Sequence, residues 1–189
     1  MKRIAIFASG NGSNAQRIAE YFNEISEIEI GLVLTNNSKA GVLKRAERLG
    51  LKSVVFNRND FAENAKVDIL LQDHEIDFVV LAGFLWLIPE FLINKYPNKI
   101  VNIHPALLPK YGGKGMYGMR VHETVIANGE KQSGISIHYV NNKYDEGQII
   151  FQANFDIEKG ETAESLAEKI HELEHEHFPK VLERVINTI

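Results

Sequence analysis

Ile4-Ala5-Ile6-Phe7-Ala8-Ser9-Gly10-Asn11-Gly12-Ser13-Asn14-Ala15 decides the fold. Five consecutive apolar residues, without the alternation of a half-exposed strand, mark a strand buried on both faces, as strands of parallel sheets are. Two glycines break the run, and Ile18, Ala19 and Phe22 then recur at helical spacing, which predicts a helix over 15–22. The unit is strand, glycine turn, helix. Outward from it the unit repeats. Further strands are expected over 28–35, 53–56, 78–82 and 100–104. Between them fall a helix over 42–49 closed by Gly50, one capped by Asp60 and reaching about Glu75, and one with Pro89 in its first turn that runs to about Lys95. Strands alternating with helices imply an α/β fold: a doubly wound, mostly parallel sheet with helices on both faces.

The second half changes character. A glycine-rich loop, 109–118, carries Lys110, Tyr111, Lys114 and Tyr117 and is expected to act as a lid. A helix over 121–127, two strands over 134–140 and 148–155, and a last helix opening on the capping box Thr162-Ala163-Glu164-Ser165 complete the chain. At 189 residues and 44% hydrophobic the chain suits one core, so residues 1–189 are expected to be a single domain. A net charge of -4 supplies no basic field for nucleic acid. Cysteine is absent, which removes disulfide and thiolate chemistry. The basic Met1-Lys2-Arg3 precedes an apolar run too short for a signal peptide, and no stretch is long enough to span a membrane. A soluble, unprocessed, cytoplasmic protein is expected.

Four stretches carry candidate chemistry. Gly10-Asn11-Gly12-Ser13-Asn14-Ala15 matches G-x-G-x-x-A between a strand and a helix, where backbone N–H groups can hold an anion. The acid that a dinucleotide site wants after the second strand is missing from Thr35-Asn36-Asn37, so a single phosphate is favoured, with an ordinary glycine turn as the bland reading. In Ile100-Val101-Asn102-Ile103-His104-Pro105, Asn102 and His104 alternate with apolar residues and so share one face of the strand, and Pro105 ends it. An amide and an imidazole at a strand end can stabilise an oxyanion and move a proton. Asp145, in Asp145-Glu146-Gly147, is either simple turn chemistry or a carboxylate that reaches His104 and raises its pKa. Leu81-Ala82-Gly83-Phe84-Leu85-Trp86-Leu87-Ile88 is mostly core, with Gly83 allowing a flat ring to approach the backbone.

His171-Glu172-Leu173-Glu174-His175 is formally H-E-x-x-H, but no third ligand follows, and a solvated helix with Glu174 or His175 facing the crevice reads better than zinc. No metal is expected. His74, His122 and His138 show no partner pattern, and His138 is expected to be a satisfied core histidine.

Taken together, Gly10-Asn11-Gly12-Ser13-Asn14, Leu81-Ala82-Gly83-Phe84, Asn102-Ile103-His104-Pro105-Ala106-Leu107-Leu108-Pro109 and Tyr144-Asp145-Glu146-Gly147 closely resemble the folate-dependent formyltransferases, and within them the glycinamide branch. The resemblance covers essentially the whole chain. It implies transfer of a formyl group from 10-formyltetrahydrofolate to the amine of glycinamide ribonucleotide, by a monomer or homodimer that acts on small molecules, with no nucleic acid or membrane partner. The same resemblance implies that Gly12, Ser13 and Asn14 hold the substrate phosphate and that Glu174 contacts its ribosyl part. Asn102 is then a hydrogen-bond partner of the formyl oxygen, His104 a proton donor and Asp145 the group that keeps His104 protonated. Leu85, Trp86, Leu87, Ile88, Asn141, Asn142, Lys143 and Tyr144, with Asn102, are implied to surround the folate. The N-terminal half would serve the phosphate and the C-terminal half the folate. Relatives often carry an arginine where Trp86 stands and another early in the third helix, near Lys66; Lys110 and Lys114 are expected to restore positive charge. Hydrolysis of the same folate and a non-catalytic nucleotide-binding module are the alternatives.

Overall fold

The structure is a computed structural model and describes residues 1–188. In chain order its elements are β1 Lys2–Phe7, α1 Ser13–Phe22, β2 Ile28–Thr35, α2 Gly41–Arg48, β3 Ser53–Val55, α3 Lys66–Asp73, β4 Phe78–Leu81, α4 Glu90–Lys95, β5 Ile100–His104, α5 Met119–Ala127, β6 Gln132–Tyr139, β7 Ile149–Asp156 and α6 Ala163–Ile186. The strands form one sheet in the order β3-β2-β1-β4-β5-β6-β7. Pairing is parallel from β3 to β5 and antiparallel where β6 joins β5 and β7 joins β6.

The apolar run that opens the chain explains how the sheet is covered. Side chains alternate along a strand, so Ile4 and Ile6 pack with Ile18 and Phe22 of α1, Val42 of α2 and Ile170 and Phe178 of α6. Ala5 and Phe7 turn the other way, onto Val67 and Leu71 of α3 and Leu92 of α4. Both faces are therefore buried over Ile4–Phe7, and this part of β1 must be apolar. The chain leaves β1 for β2 on one side and returns to β4 on the other. This reversal opens a crevice beyond the carboxyl ends of β1 and β4, where doubly wound sheets bind ligands.

Two local expectations change. Asp60 does not cap α3. Residues 60–65 form turns in which Asn64 is left-handed at φ 56, a conformation no α-helix interior allows. The helix starts after it, at Lys66, and buried Asp68 accepts the Asn64 N–H at 3.0 Å and pairs with Lys95 at 2.7 Å. Pro89 precedes α4 as its N-cap, in extended conformation with ψ 146. The last helix opens as expected. The Thr162 hydroxyl accepts the Ser165 N–H, and the Ser165 hydroxyl accepts the Thr162 N–H, both at 3.2 Å. Losing such a cap costs about 1 kcal/mol. Thr162→Ala is expected to lower unfolding stability by about that amount in urea titrations while leaving ligand binding unchanged.

Candidate active site

The loops after β1, β4 and β5 line one cavity of about 730 Å³, whose wall is completed by 113–119, Tyr144, Asp145, and His171 and Glu174 of α6. At its first end the glycine turn meets α1. Gly12 is the N-cap residue of that helix, left-handed at φ 78. A Cβ added there would lie 2.6 Å from the Val42 side chain, so both the conformation and the close approach of α2 demand glycine. Arg45 of α2 braces the turn from behind, donating to the Asn11 carbonyl at 2.8 Å and to its side-chain oxygen at 3.1 Å. Gly12, Ser13 and Asn14, where α1 begins with its first N–H groups unpaired within the helix, line the cavity. The Asn14 amide donates to Glu174 Oε2 at 2.8 Å, linking the two helices across the floor.

At the other end Asn102 and His104 emerge on the same face of β5, as their alternation requires, and both line the cavity. Asp145 reaches them from the β6–β7 loop, left-handed at φ 56. Its Oδ2 lies 3.5 Å from His104 Nδ1 and accepts the Gly113 N–H at 2.9 Å. Its Oδ1 lies 3.4 Å from the Asn102 amide nitrogen and 3.6 Å from His138 Nε2. His104 Nε2 donates to the Tyr111 carbonyl at 2.7 Å. Three side chains from two strands and one backbone N–H from a loop converge on one carboxylate.

The electrostatics follow from burial. Asp145 is desolvated, which works to raise its pKa, but the hydrogen bond with His138, the nearby His104 charge and the Gly113 N–H together hold it below the ordinary carboxylate value. For His104 the balance runs opposite to the expectation. Burial pushes its pKa down more than Asp145 and the Tyr111 carbonyl raise it. Both groups therefore make the fold acid-sensitive. Below about pH 6.5 the unfolded imidazole takes up a proton that folded His104 resists, and lower still the unfolded carboxylate protonates before Asp145 does. Stability is expected to fall as pH drops from 7.5 towards 4, and His104→Gln is expected to flatten the upper part of that slope in denaturant titrations.

The remaining sequence candidates are spread out. Leu85 and Tyr144 line the cavity. Trp86, Leu87, Ile88, Asn141, Asn142 and Lys143 are not part of its wall. Trp86 packs against Phe56, Phe61 and Phe84, with the Arg58 guanidinium 3.9 Å above its ring. Ile88 is buried in the core under α3 and α4, Leu87 is partly exposed, and Lys143 pairs with Glu146 at 3.0 Å. Lys114 lines the cavity, whereas Lys110 is held by Glu130 at 2.9 Å and Lys66 by the Val55 carbonyl at 3.1 Å.

Three histidines in or beside the cavity take positions that no pattern in the sequence assigned to them. His138 is buried and satisfied, as expected of a core histidine, yet its partner is the site itself. Its Nδ1 donates to the Tyr139 carbonyl at 2.8 Å, and its Nε2 lies 3.1 Å from the Asn102 amide nitrogen, beside Asp145. Residues 102 and 138 are directly opposed across the antiparallel β5–β6 pair, a register that no local pattern announces. His122 is also buried and lines the cavity, with Nδ1 lacking any hydrogen-bond partner among the described residues. His171 donates from Nδ1 to Glu174 Oε2 at 3.0 Å. Among the described residues, no three His, Cys, Asp or Glu side chains are grouped as a metal site would need. No described helix is long and apolar enough to cross a membrane.

A family model described as Formyl transferase matches residues 2–182. The chain is 34% identical to a phosphoribosylglycinamide formyltransferase from Bacillus subtilis (strain 168), over 98% of this chain and 95% of that protein. It is 37% identical to a chloroplastic phosphoribosylglycinamide formyltransferase from Arabidopsis thaliana, over 96% of this chain and 64% of that protein, so it spans less than two thirds of that relative's length. The crystal structure of the phosphoribosylglycinamide formyltransferase from Bacillus halodurans superposes with a TM-score of 0.88 at 35% identity, covering 98% of this chain and 95% of that one.

Proposed function

Because the chain belongs to the formyl transferase family, we propose that it moves the formyl group of 10-formyltetrahydrofolate onto the amine of 5-phosphoribosylglycinamide, a step of de novo purine biosynthesis. The observation that carries this reading is a single cavity with the N-terminus of α1 at one end and the Asn102, His104 and Asp145 cluster at the other. A phosphorylated amine held at Gly12, Ser13 and Asn14 would extend past Glu174 towards His104. The folate would enter by Leu85, Tyr144 and the glycine-rich loop, so the N-terminal half serves the phosphate and the C-terminal half the folate. All these groups come from one chain, so one copy supplies a whole site, and small soluble substrates suit a cytoplasmic enzyme.

The chemistry is a direct acyl transfer. The amine nitrogen bonds to the formyl carbon, whose carbonyl oxygen takes up negative charge. The Asn102 amide contact to Asp145, at 3.4 Å, is long enough to be exchanged for that oxygen. His104 stabilises the same charge once protonated, and the Asp145 carboxylate beside it favours the imidazolium as the transition state is approached. When the bond from the formyl carbon to the folate nitrogen breaks, the proton lost by the amine passes to that nitrogen, with Asp145 as relay. The products are formylglycinamide ribonucleotide and tetrahydrofolate. The Tyr111 carbonyl occupies His104 Nε2. The 109–118 loop therefore withdraws as substrate arrives and acts as a lid.

The test follows tetrahydrofolate release from 10-formyltetrahydrofolate. Release that requires glycinamide ribonucleotide supports the transferase. Release without it would mark a hydrolase, and no release in either case, with a phosphate ligand still bound, a binding module.

A further inference from the structure

We propose that Glu130 is a positioning residue of the active site: by holding the Tyr111 ring it sets how firmly the Tyr111 carbonyl covers His104 Nε2, and so how readily the formyl donor gains that nitrogen. The proposal rests on the reading that His104 meets the formyl group. Glu130 is no part of the main cavity wall and owes its place to the way α5 ends. Gly129 is left-handed at φ 63, its N–H donates to the Ile126 carbonyl at 3.0 Å, and the Glu130 N–H donates to the Val125 carbonyl at 3.4 Å. These crossed bonds are how a glycine closes a helix. The same turn brings two side chains onto one phenol.

The Tyr111 hydroxyl donates to Glu130 Oε1 at 2.7 Å and accepts from the Asn128 amide at 3.0 Å. Lys110 Nζ donates to the same Oε1 at 2.9 Å. The Lys110 hydrogen bond first, and then that of Tyr111, hold the Glu130 carboxyl below its ordinary pKa, so the anchor is a charged acceptor throughout the neutral range. Upstream, the segment that leads to Tyr111 is clamped to the sheet. The buried Ser136 hydroxyl accepts the Leu108 N–H at 2.9 Å and donates to the Ala106 carbonyl at 2.7 Å, and the Gln152 amide donates to the Leu108 carbonyl at 3.1 Å. Past Pro109 such clamping ends. A second cavity, of about 330 Å³, is lined by 106–111 together with Val125, Glu130, Gln132 and Ser133. Polar bonds, rather than close packing, therefore hold the chain at Tyr111.

The two ends of Tyr111 are thereby coupled. Its backbone is left-handed at φ 58, a costly state for a residue with a Cβ, and it is held there by the ring bonds to Glu130 and Asn128 on one side and by the 2.7 Å bond from His104 Nε2 to its carbonyl on the other. Loosening the ring loosens the carbonyl. In the proposed reaction the formyl oxygen and the Tyr111 carbonyl compete for one nitrogen, so the donor binds productively only to the fraction of molecules in which the carbonyl has moved away, and its apparent affinity is reduced by that fraction. Glu130 thus acts on the formyl donor through Tyr111 and His104, without touching it. The glycine turn at the other end of the cavity makes no contact with this chain of bonds, and the amine substrate is not subject to the competition.

The experiment compares the full-length wild type with Glu130→Ala, Glu130→Gln and Tyr111→Phe. In steady-state formyl transfer Glu130→Ala is expected to lower KM for 10-formyltetrahydrofolate at least about threefold, with kcat and KM for glycinamide ribonucleotide within about twofold of wild type. Tyr111→Phe, which removes only the hydroxyl, is expected to lower the same KM and carries the test alone if Glu130→Ala proves unstable. Glu130→Gln still offers an oxygen to the phenol and is expected to lie nearer to wild type. A second readout needs no turnover. In protein labelled with ¹⁵N-histidine, the His104 Nε2–H proton is expected to exchange with water at least about threefold faster in Glu130→Ala and Tyr111→Phe than in wild type. An unchanged or raised KM for the formyl donor in both variants would overturn the proposal, as would exchange at the wild-type rate. Faster exchange with no formyl transfer by the wild type would leave the anchoring of Tyr111 by Glu130 standing and remove the proposed reaction.

Discussion

Asp145→Asn is expected to lower kcat by about 10² or more with little change in fold, measured as formyl transfer at saturating substrates. The side chain is nearly the same size, so packing survives, but its hydrogen-bond pattern does not. Asp145 meets His104 at 3.5 Å, the Asn102 amide at 3.4 Å, His138 at 3.6 Å and the Gly113 N–H at 2.9 Å. An amide offers one acceptor atom where the carboxylate offers two, so its NH₂ must face one of these donors. In the proposed reaction the group that favours a protonated His104 is lost together with the proton relay, and effects of this kind are worth two to four orders of magnitude. Circular dichroism and a denaturant midpoint near wild type would separate this loss from unfolding. A rate within about threefold of wild type would remove Asp145 from the mechanism.

His104→Ala is expected to cost a similar or larger factor. The imidazole is 4% exposed and bound on both nitrogens, so its loss frees the Tyr111 carbonyl and, in the proposed reaction, removes the group that stabilises the charge on the formyl oxygen. Tyr111 is left-handed at φ 58, a strained state for a non-glycine residue. Its other anchors, the hydroxyl bonds to Glu130 at 2.7 Å and from Asn128 at 3.0 Å, would keep the loop near the site. The expected signature is a collapse of kcat with KM for both substrates changed by less than about fivefold. The double variant with Asp145→Asn is expected to be hardly slower than either single one, because residues that act as a unit are not additive.

Where the chain announces its own punctuation, the sequence could be read closely. The bounds of β2 and β5 match their expected ranges because Asn36-Asn37-Ser38 and Pro105 stop them. The glycine turn and the pair on β5 were legible for the same reason, since both are local patterns with a fixed period. The start of α3 was not, because Asp60 has the right chemistry for a cap while Asn64 takes a conformation that ends any helix before it begins. Long-range geometry was also hidden. Nothing near His138 shows that it will face Asn102, and nothing near Tyr111 shows that its backbone will occupy His104. The lowered pKa of His104 has the same origin, since a neighbouring carboxylate can be guessed from a motif but the depth of burial cannot.

The central claim is that the formyl group passes directly from folate to amine. Its most direct test is a turnover of wild-type enzyme with 10-formyltetrahydrofolate and glycinamide ribonucleotide in ¹⁸O-water, followed by mass spectrometry of the product. Direct transfer predicts one formylglycinamide ribonucleotide per tetrahydrofolate, with its formyl oxygen unlabelled and no free formate. Labelled formate, or tetrahydrofolate formed in excess of formylated product, would contradict it and show that water, not the amine, attacks the formyl carbon.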